Sequence, residues 1–287
     1  MLAAPEGKSY EVRVEDYSIQ PAEPAWRKRT LGSFLPVRYN TPSMSTTQAI
    51  THSPSEVLRQ APVQQASNGI CFAYTGQVSV APAEFERMVT AVPASIAAAL
   101  TKKAFYFVPL TVVENDEVVI ADRYDVKLSD NAVCHRNLTL GDSECVFIST
   151  RLMDDRFAVA FEFFINAGHA FVDSIGFSQD FADLAWKQVM DKVKGETSLD
   201  AYELRKVATS NLPDAEKAKT EYFEAAFSDA IAVYMLSLYL DVDYYDLRER
   251  DYPLLAPAAL AERLRKVAEL FPPPAGFEFA VYYRRRA

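Results

Sequence analysis

Between Phe161 and Asp173 the chain reads Phe-Glu-Phe-Phe-Ile-Asn-Ala-Gly-His-Ala-Phe-Val-Asp, which places Asn166, Gly168, His169 and Asp173 inside an otherwise apolar helix. Glycine within a helix costs roughly 1 kcal/mol relative to alanine, so Gly168 implies a neighbour packed too close for a side chain. The imidazole of His169 could bind a metal or move a proton, but a single histidine on an apolar helix is ordinarily a core residue making one hydrogen bond. Other groups of chemical interest are weaker. Cys134, His135 and Cys145, taken with His169, have the residue types of a Cys/His metal cluster, yet their spacing matches no zinc pattern. The stretch from Asp116 to Asp130 is rich in Asp, Glu and Asn but lacks the glycine and spacing of an EF-hand, and reads as a solvated loop. Asp241 to Asp246, followed by Arg248, Glu249, Arg250 and Asp251, reads as a charged surface turn. No nucleophile elbow, phosphate-binding loop or dinucleotide fingerprint occurs.

The run Gly168-His169-Ala170, Asp173 after two further residues, the turn Gly176-Phe177-Ser178 and then Asp180 resembles the zincin metallopeptidases related to the catalytic domain of anthrax lethal factor. In that family the active-site helix reads His-Glu-x-Gly-His-Ala-x-Asp. Aligned on Gly168-His169-Ala170, Ile165 stands where the first zinc histidine belongs and Asn166 where the catalytic glutamate belongs, so only His169 is kept. A second likeness lies at Phe227 to Tyr234, with Asp229 at an acidic position of the family's ligand helix and Ala225 at the ligand glutamate. Glu224 is its neighbour but points about 100° away around a helix. The order of elements upstream is also similar, so the resemblance spans roughly residues 80 to 240.

The resemblance implies a zincin-like fold, whereas the chemistry of the substituted positions argues against the family's activity. Catalytic zinc needs three protein ligands and an open position, and hydrolysis needs a carboxylate to take a proton from the bound water. Ile165 and Ala225 offer no lone pair, and Asn166 cannot act as that base at neutral pH. Ile165, Ala225 and Phe164 are therefore expected to fill the former metal site as an apolar plug, with His169 bonded to Asp229, Glu224 or a tyrosine. No metal or other cofactor is expected. The expected function is that of a non-catalytic pseudoenzyme, a structural or protein-interaction component of a larger assembly such as a virus particle. The competing expectation is a metal-dependent peptidase or toxin-like effector with replacement ligands drawn from His169, Asp173, Glu224 and Asp229.

Composition sets the frame. Of the 287 residues 49% are hydrophobic and 24% charged, ordinary globular usage, and 30 Lys+Arg against 39 Asp+Glu leave a formal charge of -9. Nucleic acid is excluded as the primary partner, because only Arg284-Arg285-Arg286 is conspicuously basic. Three cysteines do not make a disulfide framework. No apolar run reaches the roughly 20 residues of a membrane helix, and Glu6, Lys8 and Glu11 stand where a signal peptide would be apolar, so a soluble protein is expected.

Seven of the sixteen prolines lie in residues 1–66, with strand-like Tyr10 to Val14 and apolar Trp26 and Phe34 to Val37 among them. This segment is expected to be an extended arm that contacts a neighbouring subunit. Residues 67–271 are expected to form one α+β domain and 272–287 a tail. Strands are expected at 70–74, 77–80, 105–112, 118–120 and 144–149, giving a small mixed sheet. Helices are expected at 82–89, 93–100, 156–175, 178–189, 198–208, 215–240 and 258–270, the later ones forming a bundle.

Overall fold

The computed structural model describes residues 48–115, 117–153, 155–244, 246–247, 252–279 and 281–282. The first half begins with strand β1 (Thr51–His52), helix α1 (Pro54–Gln60), β2 (Gln64–Gln65) and β3 (Cys71–Tyr74), followed by α2 (Pro82–Thr90) and α3 (Ala94–Ala97). Then come β4 (Lys103–Val108), β5 (Leu110–Glu114), β6 (Glu117–Ala121), α4 (Val126–Ser129), β7 (Ala132–Val133), β8 (His135–Leu140) and β9 (Ser143–Ser149). Five strands make one sheet in the order β2-β3-β4-β9-β8. Its three central strands are parallel, and β2 and β8 close the two edges antiparallel. The central strands bury both faces, as parallel strands must: Phe105, Phe107 and Ile148 face the main core, while Tyr106 and Phe147 face a second one. A second, antiparallel sheet has the order β1-β6-β5-β7.

Two strand expectations are corrected. The run 105–112 is split by Pro109 into β4 and β5, which belong to different sheets. Proline has no N–H for a ladder, so the chain leaves one sheet and enters the other there. Residues 77–80 form no strand. The guanidinium of Arg151, on α5 (Thr150–Met153), donates to the Gln77 and Val78 carbonyls at 2.8 and 3.2 Å, and Ser79 bonds to Thr150, so side chains hold this backbone.

Residues 48–66, grouped above with the arm, are part of the folded body. Ser53 and Glu56 form a capping box that opens α1 at Pro54, Val57 is buried, β1 pairs with β6 and β2 with β3. The rest of the expected arm, with its subunit contact, lies outside the described residues, as does Arg284–Arg286. The described residues of the expected tail also pack. Phe279 lies 5.4 Å from the Tyr234 ring, the Tyr234 hydroxyl donates to Phe271 O at 2.6 Å, and β10 (Val242–Asp243) pairs in parallel with β11 (Val281–Tyr282).

The second half is helical: α6 (Arg156–Ile175), α7 (Gln179–Met190), α8 (Leu199–Ala208), α9 (Ala215–Tyr239) and α10 (Pro257–Leu270). Asp155 caps α6 by accepting from Phe157 N at 3.0 Å, and Ser198 caps α8 by accepting from Ala201 N at 3.2 Å. Helices α6 and α9 pack along one another. A Cβ at Gly168 would lie 2.7 Å from Ser228 O, so the two backbones touch at the glycine that the sequence marks. The other helices are joined by a buried charge. Glu196, fully buried, accepts from Arg263 Nη1 at 2.8 Å, Arg205 Nη1 at 3.0 Å and the Tyr222 hydroxyl at 2.9 Å, while Arg263 Nε donates to Gln188 at 2.9 Å. These bonds connect α7, α8, α9 and α10. Among the described residues no helix is long and apolar enough to cross a membrane.

The α6–α9 contact is directly testable. Alanine is the better helix former by about 1 kcal/mol, yet Gly168→Ala is expected to lower stability by about 1 to 3 kcal/mol in urea unfolding, because its methyl group has no space. Unchanged or increased stability would mean that the helices do not approach this closely.

Candidate functional site

Four polar residues of α6 fall on one stripe: Glu162, Asn166, His169 and Asp173 follow at spacings of four, three and four. Its first half faces the edge strand β8. Asn166 is buried, and its amide donates to Glu162 O at 2.9 Å and to Glu162 Oε1 at 3.3 Å. The same carboxylate oxygen pairs with Nδ1 of His135, the first residue of β8. Asn166 is thus spent on positioning Glu162. The Glu162–His135 pair was not foreseen from sequence. Its visible half was the four-residue spacing from Glu162 to Asn166.

The supposed Cys/His cluster is not assembled. In the β8–β9 ladder His135 lies opposite Ile148, whereas Cys145 lies opposite Leu138 and is buried. Burial pushes the Cys145 thiol up. Cys134 is exposed, and its thiol is also raised, by partial burial and then by the Glu162 charge, so it stays protonated near neutral pH.

The second half of the stripe opens onto solvent. His169 and Asp173 stand on the wall of a groove of about 550 Å³ between α6, α8 and α9. Its floor is apolar, from Val172, Leu204, Val207 and Ala225, and its rim carries Asp173, Asp200, Glu203, Glu221 and Glu224. Glu203 pairs with Lys206 at 2.7 Å and Glu221 with Lys217 at 3.4 Å. The expected apolar plug is therefore not formed. Phe164 lies in the core near Tyr239, Ile165 is half-buried against that core, and Ala225 is half-buried on the groove floor. His169 is exposed and has no hydrogen-bond partner among the described residues, because α8 stands off from α6 and leaves the groove between them. Glu224 and Asp173 are exposed as well.

Asp229 serves a different junction. Its Oδ2 accepts from Thr197 Oγ1 at 2.9 Å, and its carboxylate is also bonded by the side chain of Ser198, the cap of α8. Burial pushes its pKa up from 3.8 to about 6, against the lowering effect of those two hydroxyls and of His169. Asp229 thus ties α9 to the start of α8. Among the described residues no three His, Cys, Asp or Glu side chains are grouped so as to hold a metal ion. The arrangement offers one exposed imidazole beside several carboxylates, able to bind a cationic or hydrogen-bonding group.

The pH dependence of stability follows from the sign of the Asp229 shift. A carboxyl whose pKa is raised by folding binds its proton more tightly in the native state, so its contribution is best at low pH and is lost as pH rises from about 4 to about 6. Asp229→Asn keeps an acceptor for Thr197 and is expected to remove that component, leaving the variant at least as stable as wild type at pH 7. Urea unfolding at pH 4.5, 5.5 and 7 measures this. A larger stability loss for the variant at pH 7 than at pH 4.5 would contradict the burial of the carboxylate.

Comparison of the chain with protein-family models, with curated proteins and with solved structures finds no match.

Proposed function

We propose that this chain is a non-catalytic protein with a zincin-like arrangement, working as an interaction component of a larger protein assembly. The observation that carries the non-catalytic reading is the hydrocarbon side chain at each of the two positions where the resemblance would put the fellow ligands of His169, Ile165 and Ala225. The exposure of His169 at an open groove runs against the plugged core expected of a degenerate zincin site, so the zincin-like part rests on the motif alone. Asn166, at the position of the catalytic acid, is buried and bonded to Glu162. One imidazole does not hold a catalytic zinc, and Asn166, at the position of the catalytic glutamate, cannot take a proton from its water. An open groove with an apolar floor and charged rim is suited instead to a side chain or segment of a partner.

The competing reading is a metal-dependent peptidase or effector with replacement ligands. Its support is that His169, Asp173 and Glu224 share one groove. Asp229 does not add to that set, since its carboxylate is engaged by Thr197 and Ser198.

Restoring the motif tests the zincin-like relation. Ile165→His, Asn166→Glu and Ala225→Glu together are expected to create a His/His/Glu site with His169, since positions 165 and 169 are one turn apart on α6 and position 225 lies on the adjoining helix. Ile165 is only half-buried, so its loss is expected to cost about 1 to 2 kcal/mol, less than a fully buried isoleucine would. Zinc that binds only the folded state recovers part of the loss. The measurement is the melting temperature with and without equimolar zinc. A rise in the triple variant, absent from wild type, supports the reading, whereas no rise in the variant removes the basis for the resemblance.

A further inference from the structure

On the other side of α8 lies a second groove, about 810 Å³, between α7, α8 and the segment 191–197. Its charge is of the opposite sign. Lys192, Lys194, Arg205 and Lys206 line it, with no acidic residue among the described ones, although the whole chain carries -9. Between them lies an apolar surface that includes Trp186, Val189, Val193, Pro253 and Met190, the last 63% exposed.

The lysines are presented by a fixed piece of backbone. Arg205 Nη2 donates to Val193 O at 2.6 Å and Nη1 to Gly195 O at 2.9 Å. Ala256 N donates to Lys194 O, and Val193 N to Gln188 O, each at 3.0 Å. Gly195 has φ 84°, and a Cβ there would lie 2.2 Å from Leu254 O, so the segment is pressed against its neighbour. Lys192 holds φ 59°, a left-handed conformation that non-glycine residues rarely adopt. Arg205 is committed to Glu196 and to these carbonyls, and Lys206 to Glu203 and the Tyr202 ring. Lys192 and Lys194 have no partner among the described residues. Two unspent ammonium groups therefore stand on a rigid segment beside an apolar surface.

We infer that this groove is a docking site for a short protein segment that alternates acidic and apolar side chains. Its carboxylates would pair with Lys192 and Lys194 and its apolar groups would cover Trp186, Met190 and Val193. Charge complementarity favours an acidic occupant, and the openness of the groove favours an extended segment over a small metabolite, which needs a more enclosed site. A long polyanion such as nucleic acid is disfavoured, since it would extend past these few cationic residues onto the surface of a chain whose formal charge is -9. The inference rests on the interaction reading above, but on a surface separate from the His169 groove.

The probe is a fluorescein-labelled dodecapeptide of alternating Glu and Leu, titrated with the full chain and followed by anisotropy at 50 and 300 mM salt. The variant is Lys192→Gly with Lys194→Ala, which preserves the left-handed backbone and is expected to melt no lower than wild type. Saturable binding is expected, weaker at high salt and about five- to tenfold weaker in the variant. Binding of a Lys/Leu peptide, to which the acidic groove beside His169 is open, is expected not to change in the variant. Absence of saturable binding of the Glu/Leu peptide, equal affinity for it in the variant, or tighter binding of a single-stranded dodecanucleotide would each overturn the inference. If the double variant melts lower, Lys194→Glu alone replaces it, with the same required loss. A zinc response in the restored triple variant without peptide binding here would overturn this docking site alone and leave the zincin-like reading standing.

Discussion

The contact between α6 and α9 at Gly168 and Ser228 is the constraint on which the rest depends. Because a side chain at 168 would strike the Ser228 carbonyl, the helices meet backbone to backbone. That approach lets the aromatic residues flanking it, Phe163, Phe164 and Phe227, pack to complete burial or nearly so against the sheet and neighbouring helices. It also decides what is left outside. His169 is the next residue round the helix, about 100° from the contact, and so emerges at the mouth of the cleft. Ala225 lies nearly one turn before Ser228 on the opposite wall.

The far side of that cleft is set by charge. Helix α8 lies along α9 and rests Leu204 on the core, but only Ala201 is fully enclosed. Two polar junctions add to that contact. Asp229 bonds to Thr197 and to the capping Ser198 at its start, and Arg205 in its middle reaches the buried Glu196. Desolvating a carboxylate and two guanidinium groups is costly, and the cost is offset because Tyr222, Gln188 and several carbonyls satisfy the remaining donors and acceptors. The same network that holds α8 thus makes one wall of both grooves, the acidic one beside His169 and the basic one beside Lys194. A helix held by directed bonds over an incompletely filled space leaves surfaces for a partner.

Much of this was readable in the sequence where the signal is local. Asp155 and Pro82 stand at the starts of helices expected at 156 and 82, as capping and proline rules require, and Gly168 marks a close contact that the sequence could not assign to a partner. What was not readable depends on residues far apart in the chain. Pro109 marks a break, but that its two flanking strands join different sheets is decided by pairing with β9 on one side and β6 on the other. Residues 48–66 looked too polar and proline-rich to fold, and they do so by borrowing a core from β6 and β3. Of the candidate site, the polar stripe on α6 was visible in part. The exposure of His169 was not, because it follows from where α8 stands, and α8 is placed by Glu196 and Asp229 as well as by its packing on α9.

The central claim is that the His169 groove holds no functional metal. The most direct measurement is the metal content of wild-type protein purified without chelators, by mass spectrometry of the intact chain under native conditions and by elemental analysis. The account predicts zinc well below one equivalent per chain, unchanged by His169→Ala. One tightly held equivalent of a transition metal, lost in His169→Ala, would contradict it and restore the peptidase reading.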